Sequence, residues 1–131
     1  MRTALSVLLL AVGMRLAAGP VSAHHSFAAE FDANKPITLE GTLTKMEWVN
    51  PHAWLYIEVK EADGTVVEWA IQTVSPNSLL RGGWRKDSLP PGSPVTVQGY
   101  LARDGSAKAN AQNVILPDGT EMFAGPPPGS R

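Results

Sequence analysis

The sequence predicts an all-β domain with one short helix, built as a five-stranded OB-fold-like Greek-key barrel with the helix between strands three and four. Three observations predict it. Apolar and polar residues alternate with a period of two in segments bounded by Gly, Pro, Asn and Asp. A capped helical signal, Ser75-Pro76 to Gly82, follows the third such segment. An immunoglobulin-like sandwich would instead need about seven strands and no helix at that point.

The first strand is read from Ile37, Leu39, Gly41 and Leu43 alternating with Thr38, Glu40, Thr42 and Thr44. Its phase changes near Lys45, since Met46 and Trp48 are the next large apolar residues, and this predicts a bulge or sharp bend. Asn50-Pro51 ends the strand in a turn. Ala53 to Lys60 and Val66 to Val74 form a hairpin through Glu61-Ala62-Asp63-Gly64-Thr65. A two-residue loop would mix polar and apolar groups on each face. A three-residue loop with Gly64 in the left-handed region pairs Val59 with Val67, Ile57 with Trp69 and Leu55 with Ile71. The second register is expected, leaving Trp54, Tyr56, Glu58, Glu68 and Gln72 on the opposite face.

Ser75 suits the N-cap of the helix, Pro76 its first position, and Gly82 or Gly83 its end. Trp84 and Leu89 are expected to pack this connection onto the end of the sheet. After the turn Pro90-Pro91-Gly92-Ser93, strand four is read from Val95, Val97 and Leu101. Strand five contains Val114 to Leu116, and a last short extended piece carries Met122 and Phe123. The tail 125–131, rich in Pro and Gly, is expected to be disordered.

The N-terminus predicts export. Arg2, the apolar run from Ala4 to Val12, and small residues up to Val21-Ser22-Ala23 have the order of a secretory signal cleaved after Ala23. Arg15 interrupts the apolar stretch, which is too short for a permanent membrane span. The expected organisation is a signal peptide at 1–23, an N-terminal arm at 24–36, the barrel at 37–124 and the tail. A mature chain of this kind is periplasmic or secreted. Cysteine is absent, so a packed core or a bound ligand must take the role that disulfides fill in many small exported domains. Two of the eleven basic residues, Arg2 and Arg15, precede the junction, leaving nine against twelve acidic residues and a formal net charge of −3. That balance argues against a nucleic-acid partner, which needs clustered Lys and Arg.

Several segments resemble one family. They are His24-His25-Ser26-Phe27 with Phe31-Asp32, then Glu47-Trp48-Val49-Asn50-Pro51-His52, then Asn77-Ser78-Leu79 with Gly83-Trp84. Together they resemble the DUF6152 family of small exported bacterial proteins of unknown function, over nearly the whole mature chain. The resemblance implies export and an OB-like barrel, and it supplies no substrate, cofactor or catalytic residue.

All three histidines lie in two places, His24 and His25 at the mature terminus and His52 in the first inter-strand loop. A terminal histidine chelates through its α-amine and ring Nδ1, and a second imidazole completes a three-nitrogen set suited to Cu(II). Zn(II) is less well matched unless a carboxylate such as Asp32 joins. The same residues also fit a frayed terminus and a capped turn histidine. Trp48, Trp54 and Tyr56 flank His52, and with Gln72 they form a candidate face for a small ligand or a partner protein. The alternative is that these rings are packing residues, with Phe27 and Phe31 laid against them. No nucleophile–base pair or cleft is evident, so an enzyme is the weakest class. The expected function is a non-catalytic, monomeric binding module, copper-binding in one reading and a metal-free adaptor in the other.

Overall fold

The residues described are 27–126 of a computed structural model. A one-turn helix α1 (Phe27–Glu30) leads into β1 (Phe31–Glu47), followed by β2 (Trp54–Lys60) and β3 (Val66–Gln72). Helix α2 (Pro76–Arg81) precedes β4 (Pro94–Ala102), β5 (Lys108–Ile115) and β6 (Glu121–Phe123). The fold class expected from sequence holds, with a mostly β chain and the helix between the third and fourth strands. The strand count is six rather than five, because the short piece at Met122 pairs with β5 as β6.

Pairing follows the order β3-β2-β1-β4-β5-β6, and β3 also pairs with β5. The circuit β1-β2-β3-β5-β4 therefore returns to β1, and the sheet is ring-like. The closing contact is parallel, Ala70 to Lys108 through Gln72 to Asn110, while the other pairings are antiparallel. One face of the curved sheet surrounds a single core that includes Leu43, Leu55, Ile57, Ile71, Val97 and Val114, all essentially inaccessible to water. Each such side chain contributes about 1.5–3 kcal/mol relative to exposure.

The bend in β1 lies where the apolar phase changes. Its register against β2 shifts between Leu43 and Lys45, so Leu43 opposes Ile57 while Lys45 opposes Tyr56. Thr44 is the extra residue, and its hydroxyl donates to the Tyr56 carbonyl at 3.1 Å. The shift lets the N-terminal half of β1 pair with β4 and the C-terminal half with β2. Two glycines permit close strand approach. A Cβ on Gly41 would lie 2.5 Å from the Glu58 carbonyl oxygen, and one on Gly99 would collide with the carbonyl oxygen of Asn110.

The β2–β3 register is the one expected from the faces, with Leu55 opposite Ile71, Ile57 opposite Trp69 and Val59 opposite Val67. Gly64 has φ +88°, and the Glu61 amide donates to the Thr65 carbonyl at 2.8 Å, closing a three-residue loop. Helix α2 starts at Ser75, whose hydroxyl oxygen accepts from the Ser78 amide at 3.3 Å, with Pro76 in the first turn. Trp84 and Leu89 cap the core as expected. Trp84 is fully buried, and its indole N–H donates to the Phe123 carbonyl at 2.9 Å.

β1 begins six residues earlier than the alternation indicates. Phe31 pairs with Ala102 and is fully buried, so part of the expected N-terminal arm belongs to the sheet. Phe27, in α1, packs on Phe31 and edge-on against Tyr100, with centroids 5.7 and 5.6 Å apart. Among the described residues no helix is long and apolar enough to cross a membrane.

Candidate functional site

His52 sits in the loop between β1 and β2, directly before the buried Ala53. The strands on either side continue hydrogen bonding past their regular ends. The Thr73 amide donates to the Ala53 carbonyl at 2.9 Å, the Ala53 amide to the Val74 carbonyl at 3.1 Å, and the Val74 amide to the Ala124 carbonyl at 2.9 Å. Thr73 is itself 1% exposed. This fixes the Thr73 carbonyl, and the half-buried His52 ring binds it through Nδ1 at 2.8 Å. A carbonyl oxygen only accepts, so Nδ1 carries the proton and Nε2 is the unprotonated nitrogen of the neutral ring. Metal-bound histidines are commonly oriented by a bond of this kind.

His24, His25 and the junction at Ala23 lie outside the described residues. Among the described residues no three His, Cys, Asp or Glu side chains come together as a ligand group. His52 presents one oriented, unprotonated ring nitrogen.

The expected aromatic face is split. Trp48 packs against the hydrophobic core together with Met46, because the bulge at Thr44 reverses which residues of β1 point inward. It does not join Trp54 and Tyr56. Those two lie on the outer face of β2, opposite Gln72 and Ala70 of β3. Tyr56 is already engaged. Its hydroxyl donates to Glu47 at 3.3 Å, and the Lys45 ammonium stands 4.5 Å above its ring while pairing with Glu47 at 2.8 Å. The Glu47 carboxyl is held below its ordinary range by the Lys45 hydrogen bond, and desolvation raises the Tyr56 phenol. Glu58 and Glu68 stand directly opposite each other and are exposed, a like-charge pair that water must screen.

Gln72 belongs to a buried amide row that periodicity did not show. Its side-chain oxygen accepts from Asn110 at 3.3 Å, and the Asn110 oxygen accepts from Gln112 at 3.2 Å. Gln72 and Asn110 are 9% and 5% exposed although both lie on the outer face. By register the row Glu47–Trp54–Gln72–Asn110–Tyr100 crosses five strands without a break. Phe27 is seated at its Tyr100 end, and His52 lies two residues before Trp54, beside the other. The signal that could have found Asn110 is the polar–small alternation Asn110-Ala111-Gln112, which reads as a strand once the parallel partner is known.

A family model described as a family of unknown function, DUF6152, matches residues 13–111. The chain belongs to the DUF6152 family. The matched span takes in His24, His25 and His52 and ends within β5, so β6 of this DUF6152 protein lies beyond it. No curated protein and no solved structure matches the chain.

Proposed function

We propose that this protein is an exported, non-catalytic binding module on an OB-like scaffold. In this reading its mature chain begins at His24 and takes Cu(II) through the His24 α-amine and imidazole together with His52 Nε2, with His25 beside them. The observation that carries the reading is the 2.8 Å bond from His52 Nδ1 to the Thr73 carbonyl. It fixes the tautomer that leaves Nε2 able to bind a metal, and it anchors the ring to buried backbone.

Two further features support it. Phe27 is tied to Tyr100 and Phe31, so the chain is anchored three residues after His24. Three extended residues reach about 10 Å. The Tyr100 and Trp54 columns are three strand spacings apart, about 14 Å, and imidazole side chains at both ends shorten the gap the backbone must cross. Nitrogen donors without thiolate favour Cu(II), with Zn(II) second. The α-amine must lose its proton to bind, so affinity falls as pH drops.

The test is a Cu(II) titration of protein whose first residue has been verified as His24, beside protein carrying one extra Gly before it. The reading expects one tight site in the first and weakening of about tenfold or more in the second. Equal binding by the two proteins would remove the terminal amine from the site. Absence of Cu(II) binding would favour the metal-free adaptor that uses the face around Trp54.

A further inference from the structure

A second polar row crosses the sheet away from His52. By register Thr38 of β1 stands opposite Gln98 of β4, Gln98 opposite Asn113 of β5, and Asn113 opposite Phe123 of β6. Their neighbours Leu39, Val97 and Val114 point into the core, so all four side chains lie on the outer face. At about 4.8 Å per strand the row is about 14 Å long. Beside it is an open depression of about 210 Å³, lined by Pro36, Thr38, Gln98, Tyr100, Gln112 and Asn113, with Gly99 between the flanking side chains. Its flanks are fixed. The Tyr100 ring is held edge-on by Phe27, and the Gln112 amide donates to the Asn110 side chain and the Ala111 carbonyl.

The middle of the groove is different. No hydrogen bond within the described residues engages the carboxamides of Gln98 and Asn113, and both side chains are half-buried. Each offers two N–H donors and one carbonyl acceptor. The lining carries no carboxylate, imidazole or cation, so it matches neither a metal ion nor a phosphate. A purely apolar ligand would strip water from the two amides and return no hydrogen bond. Hydroxyl groups both donate and accept, which suits a carboxamide pair. At the end of the row the 40% exposed Phe123 ring offers an apolar face to the C–H side of a saturated ring.

We propose that this groove is a second binding site, independent of His52, for a neutral hydroxyl-rich ligand of the saccharide class. Gln98 and Asn113 hydrogen-bond its hydroxyls, and Phe123 packs against one ring face at the end of the row.

The test is an NMR titration of ¹⁵N-labelled protein with maltose and, separately, cellobiose, reading the side-chain amide signals of Gln98 and Asn113. The expected result is a saturable shift of both signals in the millimolar range with at least one sugar. The Gln98 shift should be abolished by Asn113→Ala, and both shifts weakened several-fold by Phe123→Ala and unchanged by His52→Ala. Gln98→Glu, which keeps the side-chain shape, should also weaken sugar binding while leaving the backbone spectrum of the fold intact. If neither sugar moves these signals, or if the Gln98 shift survives Asn113→Ala in folded protein, the proposal is overturned. Tighter binding of glucose 6-phosphate than of either neutral sugar would likewise overturn it.

Discussion

The imidazole of His52 and the main chain of Thr73 are joined across two strands by a 2.8 Å hydrogen bond from Nδ1 to the carbonyl oxygen. Because the acceptor is backbone and is itself locked between Ala53 and Ala124, its position does not depend on any side chain. The neutral ring is therefore held as the Nδ1–H tautomer. Two-bond ¹H–¹⁵N correlation spectra of metal-free protein should show Nε2 with the shift of an unprotonated nitrogen. A predominant Nε2–H form would contradict the orientation.

Glycine is required at two kinds of position, and the costs should differ. At Gly99 an added Cβ meets the Asn110 backbone, which cannot move without breaking the β4–β5 pairing. At Gly64 nothing lies within 4 Å, and only the left-handed φ of +88° is strained. Gly64→Ala should cost about 1–2 kcal/mol, and Gly99→Ala about 3 kcal/mol or more. Thermal melts should rank the two in that order, with each kcal/mol lowering Tm by roughly 4–8 °C. Equal melting temperatures would show that the Gly99 contact relaxes freely.

Trp84 closes the end of the core and also ties β6 down through Phe123. Trp84→Phe keeps most of the ring but leaves the Phe123 carbonyl without its donor, at a cost of about 1–3 kcal/mol. Trp84→Ala adds a cavity and should cost about 3–5 kcal/mol. Denaturant unfolding measures both. A Phe variant as stable as the parent would mean that water replaces the indole at no cost.

Three turns repeat one device. Asp63, Asp104 and Asp118 each precede a glycine of positive φ, and each carboxylate accepts from the backbone amide two residues on, at 2.9, 3.0 and 2.8 Å. The hydrogen bonds with Thr65, Ser106 and Thr120 hold all three carboxyls below their ordinary 3.8. A depressed folded-state pKa gives stability that is present above the unfolded value and lost as pH falls through the folded one. Stability should therefore decline on acidification as pH falls through and below 3.8. Replacing all three by Asn, which keeps an acceptor oxygen without the titration, should flatten that decline. An unchanged acid limb in the triple variant would place the acid sensitivity elsewhere.

Local chemistry made much of the fold legible. The faces of Leu55, Ile57 and Val59 determined the hairpin register, Ser75 and Pro76 located α2, and the phase change at Lys45 located the bulge. What stayed hidden was set by distant partners. Asp32, Asn34 and Pro36 read as part of an N-terminal arm, and only the pairings of Phe31 with Ala102 and Pro36 with Tyr100 make that stretch part of β1. The parallel β3–β5 contact has no periodic signature, so the Gln72–Asn110 bond could not be foreseen from spacing. Proximity to His52 places Trp48 on the aromatic face, whereas the bulge turns it toward the core. Of the candidate site, the sequence identified His52 as a loop histidine but could not show which nitrogen is presented.

The affinity of His52→Ala for Cu(II), against that of the parent with the same verified His24 terminus, measures whether the presented nitrogen binds the metal. A competition titration should show the variant at least tenfold weaker while its fold is unchanged. Equal affinity in the two proteins would contradict the proposal that His52 Nε2 binds copper.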